Sequence, residues 1–162
     1  MKQILAAVMA LAILPIATPA IAAEQTFAHV VEDDPLTRMF RWWNEAFKDA
    51  DGFTPQAFSQ YFTDDAVLRV NGTNRARGLV DLAARFRMIQ KNTEAVEIKI
   101  PFVEAFSSPD GSKIFTYHLE EAVEKGKASH SMVMGYAEIR GGKIALVNFF
   151  NIEGQPGPIA GK

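Results

Sequence analysis

The chain has 162 residues, 48% hydrophobic and 22% charged, which suits one globular domain and excludes a disordered segment or a coiled coil. Its formal charge of −2 offers no basic footprint for neutralising phosphates, so nucleic acid is not an expected partner. No cysteine occurs, which excludes thiolate catalysis, disulfides, cysteine-bound metal and a lipidated cysteine, and leaves packing by twelve Phe, two Trp and three Tyr to hold the fold.

Residues 1–23 read as a signal peptide. Lys2 precedes an apolar run from Ile4 to Leu14, Pro15 and Pro19 follow, and Ala20-Ile21-Ala22-Ala23 supplies an Ala-x-Ala cleavage site. A membrane span needs roughly 20 uninterrupted apolar residues, and the two prolines interrupt this run. Cleavage after Ala22 or Ala23 removes Lys2 and no carboxylate, leaving a formal charge of −3. The expected mature protein is periplasmic or secreted and has no membrane partner.

Residues 24–35 read as a linker whose Glu32, Asp33, Asp34 and Pro35 lead acidic charge into a helix start. From there Leu36, Met39, Phe40, Trp43 and Phe47 repeat at the spacing of one buried helical stripe, predicting a first helix that ends near Asp51-Gly52. Trp43 fits the stripe, and Trp42 is left for a helix contact or a dimer surface. Thr54 before Pro55 is an N-cap with proline at the first helical position, so a second helix with Phe58, Tyr61 and Phe62 as its apolar side follows. Asp64-Asp65 is expected to close that helix, Ala66 to Val70 to form a strand, and Asn71-Gly72 to turn the chain. After Gly78, Leu79, Leu82, Phe86 and Ile89 share one face of a third helix, with Arg85, Arg87 and Lys91 largely toward solvent.

From Ala95 the helical period gives way to four alternating runs at about 96–106, 113–123, 128–140 and 143–152. Ser108-Pro109-Asp110-Gly111, Glu124-Lys125-Gly126-Lys127 and Arg140-Gly141-Gly142-Lys143 are short connections of the kind that join antiparallel neighbours, so the last three strands should form a meander. Residues 153–162, rich in glycine and proline, read as a flexible tail.

The order is that of an α+β domain with N-terminal helices packed on one face of a curved antiparallel sheet. That order, the segment YFTDDAVLRVNG followed by RARGLVDLAARF, and the hairpin EIRGGKIALVNFFN resemble the nuclear transport factor 2-like (cystatin-like) superfamily, in particular its SnoaL-like branch of polyketide cyclase and ketosteroid isomerase relatives. The resemblance covers residues 36–152. It implies a cone-shaped domain enclosing an apolar pocket; a small hydrophobic or aromatic molecule is the expected partner, a homodimer the expected assembly, and no cofactor is expected.

If Lys125-Gly126 and Gly141-Gly142 are two-residue turns, Glu121 lies opposite His130, Tyr117 opposite Met134, Tyr136 opposite Val147, and Met134 opposite Phe149. One face then collects Phe115, Tyr117, Leu119, Glu121, His130, Met132, Met134, Tyr136, Val147, Phe149 and Asn151, and the other Thr116, His118, Glu120, Ser129, Ser131, Val133, Asn148 and Phe150. The first is richer in aromatics and methionine and is assigned to the pocket, joined there by Trp43, Val70 and Phe86. Methionine suits irregular apolar ligands, and the same alternation also describes plain core.

Glu121 and His130 are the acid and imidazole expected as neighbours on that face. They are candidates for a general acid/base pair, for a ligand contact at the pocket mouth, or for a solvated pair at a hairpin end. Asn151 is a candidate polar handle in the pocket or a cap of the strand end. His29, His118 and His130 lack any ligand spacing, so no metal is expected. Asp64 and Asp65 read as structural. The resemblance places the base of a ketosteroid isomerase at Val70, its oxyanion acid near Met134 and its tyrosine on the Trp43 stripe, and none of those groups is present. Three readings follow: an exported protein that binds a small apolar or aromatic molecule without that isomerase mechanism, an isomerase, cyclase or hydratase using His130 and Glu121, or a dimeric interaction module.

Overall fold

A computed structural model describes residues 28–29 and 33–156, so the expected signal peptide, most of the linker and the end of the tail lie outside the described residues. Within them the elements run β1 (Ala28–His29), α1 (Pro35–Ala46), α2 (Pro55–Phe58), β2 (Phe62–Val70), β3 (Thr73–Arg77), α3 (Gly78–Asn92), β4 (Ala95–Ile98), β5 (Glu104–Ser107), β6 (Lys113–Glu124), β7 (Lys127–Arg140) and β8 (Lys143–Glu153). Helices pack on the concave face of one curved sheet ordered β1-β5-β6-β7-β8-β2-β3, with β4 also paired to β6. This is the expected cone. The β2–β8 pair is parallel within an otherwise antiparallel sheet.

Local chemistry explains where the helices start. The Asp34 carboxylate accepts from the backbone N–H of Leu36 at 2.8 Å and of Thr37 at 3.1 Å, satisfying two donors that the first turn leaves without partners. Thr54 does the same for α2 through Ala57 N–H at 3.1 Å. The α1 stripe then buries Leu36, Met39, Phe40, Trp43 and Phe47. Trp42 lies at a helix contact, stacked on Tyr61 with ring centroids 4.9 Å apart and edge-on to Phe58. Asn44 docks α1 on the sheet by giving its amide to Ile98 O and accepting Ile98 N–H, at 2.8 and 2.9 Å.

Several expectations need correction. Asp64 and Asp65 do not close a helix, because α2 ends at Phe58 and both lie within β2, exposed, with Asp65 held by Arg140 and Thr63. Residues 73–77, read as connection, form the strand β3. The first alternating run is two strands, β4 and β5, separated at residues 99–103.

The meander β6-β7-β8 forms as expected, and its first hairpin has the expected register, with Glu121 opposite His130 and Tyr117 opposite Met134. The second does not. A β-bulge at Glu138/Ile139 leaves Ala145 unmatched, so Tyr136 faces Asn148, Gly135 faces Phe149 and Met134 faces Phe150.

Candidate functional site

The concave face of β6 and β7 carries Ile114, Thr116, His118, Val133, Gly135 and Ala137, all buried. Phe115, Tyr117, Leu119, Met132, Met134 and Tyr136 therefore lie on the convex face, the reverse of the assignment made from composition. Crowding is the reason. A Cβ on Gly135 would sit 2.3 Å from Thr116 Oγ1 and 3.1 Å from the Phe149 ring, so the side that meets the helices admits only small or tightly fitted residues at the centre of the meander.

Between α1, α3 and this face lies a cavity of about 170 Å³. Met39, Phe40 and Trp43 line it from α1, Phe62, Leu68 and Val70 from β2, Phe86 and Ile89 from α3, and Val96, Ile98, Val133, Val147 and Phe149 from the remaining strands. Its polar groups are Arg85, His118, Glu120 and Asn151. Of the residues expected in a pocket, Trp43, Val70, Phe86, Phe149 and Asn151 line this cavity, whereas Tyr117, Met132, Met134 and Tyr136 do not.

The expected pair of Glu121 and His130 is formed, with Nδ1 3.7 Å from Oε1, yet both side chains are more than 40% exposed and neither reaches the cavity. Lys99 Nζ holds the other Glu121 oxygen at 2.8 Å and Glu97 at 2.7 Å, which lowers the Glu121 carboxyl pKa and occupies it as a structural ion pair. Their position beside the Lys125-Gly126 turn, on the convex face, accounts for this.

His118 and Glu120 take the interior position instead. His118 is 2% exposed and boxed by Phe40, Phe102 and Phe149, with ring centroids 5.1, 5.6 and 5.9 Å away. Its Nδ1 lies 3.1 Å from the Thr116 hydroxyl, leaving Nε2 for any other partner. Burial pulls the imidazole pKa down to about 4, so it is neutral at neutral pH. Burial also raises the Glu120 carboxyl above its ordinary range. A neutral imidazole and a raised carboxyl on alternate residues of one strand, facing one cavity, are groups able to exchange protons with a bound molecule.

Asn151 stands exposed at the cavity rim, where its Oδ1 accepts from Asn71 Nδ2 at 3.0 Å and its backbone N–H gives to Asn71 Oδ1 at 3.1 Å, so it also ties the end of β8 to the β2–β3 turn. Arg85, expected in solvent, lines the cavity with its Nε buried and unpartnered, and Trp43 Nε1 is buried without an acceptor. A signal for the interior groups was present: Ile114, Thr116, His118 and Glu120 share one alternation and face Ala137, Gly135, Val133 and Ser131, all small or medium-sized residues of β7. Among the described residues no cluster of three or more His, Asp or Glu could hold a metal ion, and no helix is long and apolar enough to cross a membrane.

The fold is that of the nuclear transport factor 2-like proteins, shared with many SnoaL-like and ketosteroid isomerase-like structures. An LEH-like epoxide hydrolase from M. tuberculosis is similar at 20% identity and a TM-score of 0.55, over 73% of this chain and 83% of its own. A ketosteroid isomerase-like protein from Catenulispora acidiphila, solved with trimethylamine, is 16% identical with a TM-score of 0.54, over 67% and 81%. A SnoaL-like protein from Jannaschia sp. CCS1, described as a polyketide cyclase, is 9% identical with a TM-score of 0.58, over 72% and 82%. No family model matches the sequence, and no curated protein matches it.

Proposed function

We propose that this chain binds one small, mostly apolar molecule in the cavity beneath α1 and α3. The observation that carries the reading is the cavity itself: about 170 Å³ of space walled by aromatic and aliphatic side chains, with a few polar groups converging on it. An engineered apolar cavity of roughly 150 Å³ holds a benzene molecule, so a single-ring or short branched ligand is the matching size. The absence of an acid at Val70 speaks against the ketosteroid isomerase mechanism here. Native mass spectrometry of protein purified from its own host should show a retained small molecule, and Val70→Phe, which adds bulk to the wall, should abolish its retention while leaving the fold intact. Retention undiminished in Val70→Phe would remove the cavity from the reading.

A second reading is favoured by His118 and Glu120, whose burial and shifted pKa values suit general acid/base work of the isomerase, cyclase or hydratase kind. Under it the interior pair replaces His130 and Glu121, which are exposed. Replacing His118 by Gln should then abolish turnover of a ligand that still binds, whereas a pure binding protein would return its ligand unchanged from either form.

The signal-peptide features of residues 1–23 support export, and intact mass of protein from the periplasmic or extracellular fraction should begin after Ala22 or Ala23. Association of two copies through the convex face is supported by its exposed Met134, Phe150 and Ile152.

A further inference from the structure

Two hydrogen-bond donors in the cavity wall have no acceptor. Trp43, 5% exposed on α1, has a buried indole N–H without a partner, and Arg85 on α3 has a buried Nε–H in the same condition. The Arg85 guanidinium also makes no hydrogen bond or ion pair among the described residues. Arg85 Nη1 and Nη2 are not among the buried atoms, so on a residue that lines the cavity they present an unpaired positive charge whose acceptor the chain does not supply.

The acceptors within the cavity do not meet that need. Asn151 Oδ1 is taken by Asn71, and Glu120 is influenced by burial alone, with no contribution from Arg85. Water could hydrate the guanidinium but would supply no counter-ion. A carboxylate supplies two coplanar oxygens and the negative charge together, the combination that a guanidinium fork matches.

Resting on the reading that the cavity is a ligand site, we propose that its ligand is a small aromatic or branched aliphatic carboxylic acid, bound as the carboxylate. Arg85 holds the carboxylate, while Phe40, Phe86 and Phe149 pack against the apolar body. Glu120 faces the same space and acts against an anion when ionised, so it sets the repulsive side of the selectivity.

The test is titration calorimetry on the full chain with benzoate, its neutral isostere benzamide, and toluene. Benzoate should bind at least about tenfold more tightly than benzamide, the size expected of one charge-assisted hydrogen bond. Arg85→Gln should erase that preference, and Glu120→Gln should tighten benzoate binding. Opposite signs from Arg85→Gln and Glu120→Gln separate a charge effect from loss of fold, which thermal melts of both variants check. Equal binding of benzoate and benzamide, or toluene binding without benzoate, overturns the carboxylate and leaves the cavity reading standing. Failure of all three probes together with no retained ligand overturns both.

Discussion

Burial keeps the imidazole of His118 neutral, and this makes the protein sensitive to acid in a definable window. Its folded pKa of about 4 lies below the ordinary value of 6.5, so between those limits the unfolded chain binds more protons and stability falls as pH falls. The penalty is absent above pH 6.5 and complete below about 4, where a shift of that size amounts to about 3 kcal/mol for a side chain so fully buried. Glu120 works in the opposite sense: its raised folded pKa gives stability that is present below the ordinary 4.5 and is lost as pH rises through the folded value. Urea denaturation of the parent and of His118→Gln at pH 7.5, 5.5 and 4.5 isolates the histidine, since the Glu120 contribution is common to both. The parent should lose stability relative to the variant as pH drops through this range, and parallel curves would mean that His118 titrates normally. Thr116→Val leaves the shape of the side chain and removes the hydroxyl beside Nδ1, so it should cost roughly 1–3 kcal/mol at neutral pH by the same measurement.

At the scale of elements, the meander shows how one unmatched residue governs which side chains can meet. Ala145 sits in the bulge, so Ile144 and Val147 are both buried although three residues apart. Strict alternation would turn one of them outward. Gly135 is the complementary device, because the added Cβ of Gly135→Ala would collide with Thr116 Oγ1 and crowd Phe149. That variant should lose about 1–3 kcal/mol in chemical denaturation, and an unchanged midpoint would show that the concave face can relax. Asp34→Ala, which strips the α1 cap, should cost about 1 kcal/mol in the same assay. Helix starts, hairpin turns and the β6–β7 register were legible because each depends on a few adjacent residues: Asp34 with Pro35, Thr54 with Pro55, Lys125 with Gly126. The cavity was legible only in part. Trp43 and Phe86 lie on helical stripes and Val70 on a short strand, whereas the meander faces depend on where the helices press. Aromatic and methionine content favoured the wrong side of β6 and β7, since the crowded side requires Gly135 and Ala137. Val147, Phe149 and Asn151 were nevertheless placed inward, because the inverted face and the unseen bulge offset one another on β8. His118 and Glu120 were set aside with the inverted face.

Among the described residues, helices cover only the concave side of the sheet, and the convex face they leave is apolar. Phe115 stacks against Phe106 and packs on Tyr136 there, and Met134, Phe150 and Ile152 are 58%, 50% and 67% exposed. These residues are contiguous on paired strands, with Met134 opposite Phe150 and Met132 opposite Ile152. A contiguous apolar patch of this kind on a protein with formal charge −2 has little electrostatic repulsion to keep two copies apart. Association through it would bury the patch and leave the cavity, which opens on the other side of the sheet, unchanged. Met134→Arg therefore distinguishes the two faces. Sedimentation should show the parent as a dimer and Met134→Arg as a monomer, because a charge placed in the middle of the interface would have to be desolvated opposite its own copy. Ligand retention should be the same in both. A monomeric parent would mean that the convex face is not used between copies, and loss of the ligand in Met134→Arg would mean that the two faces are coupled through the sheet.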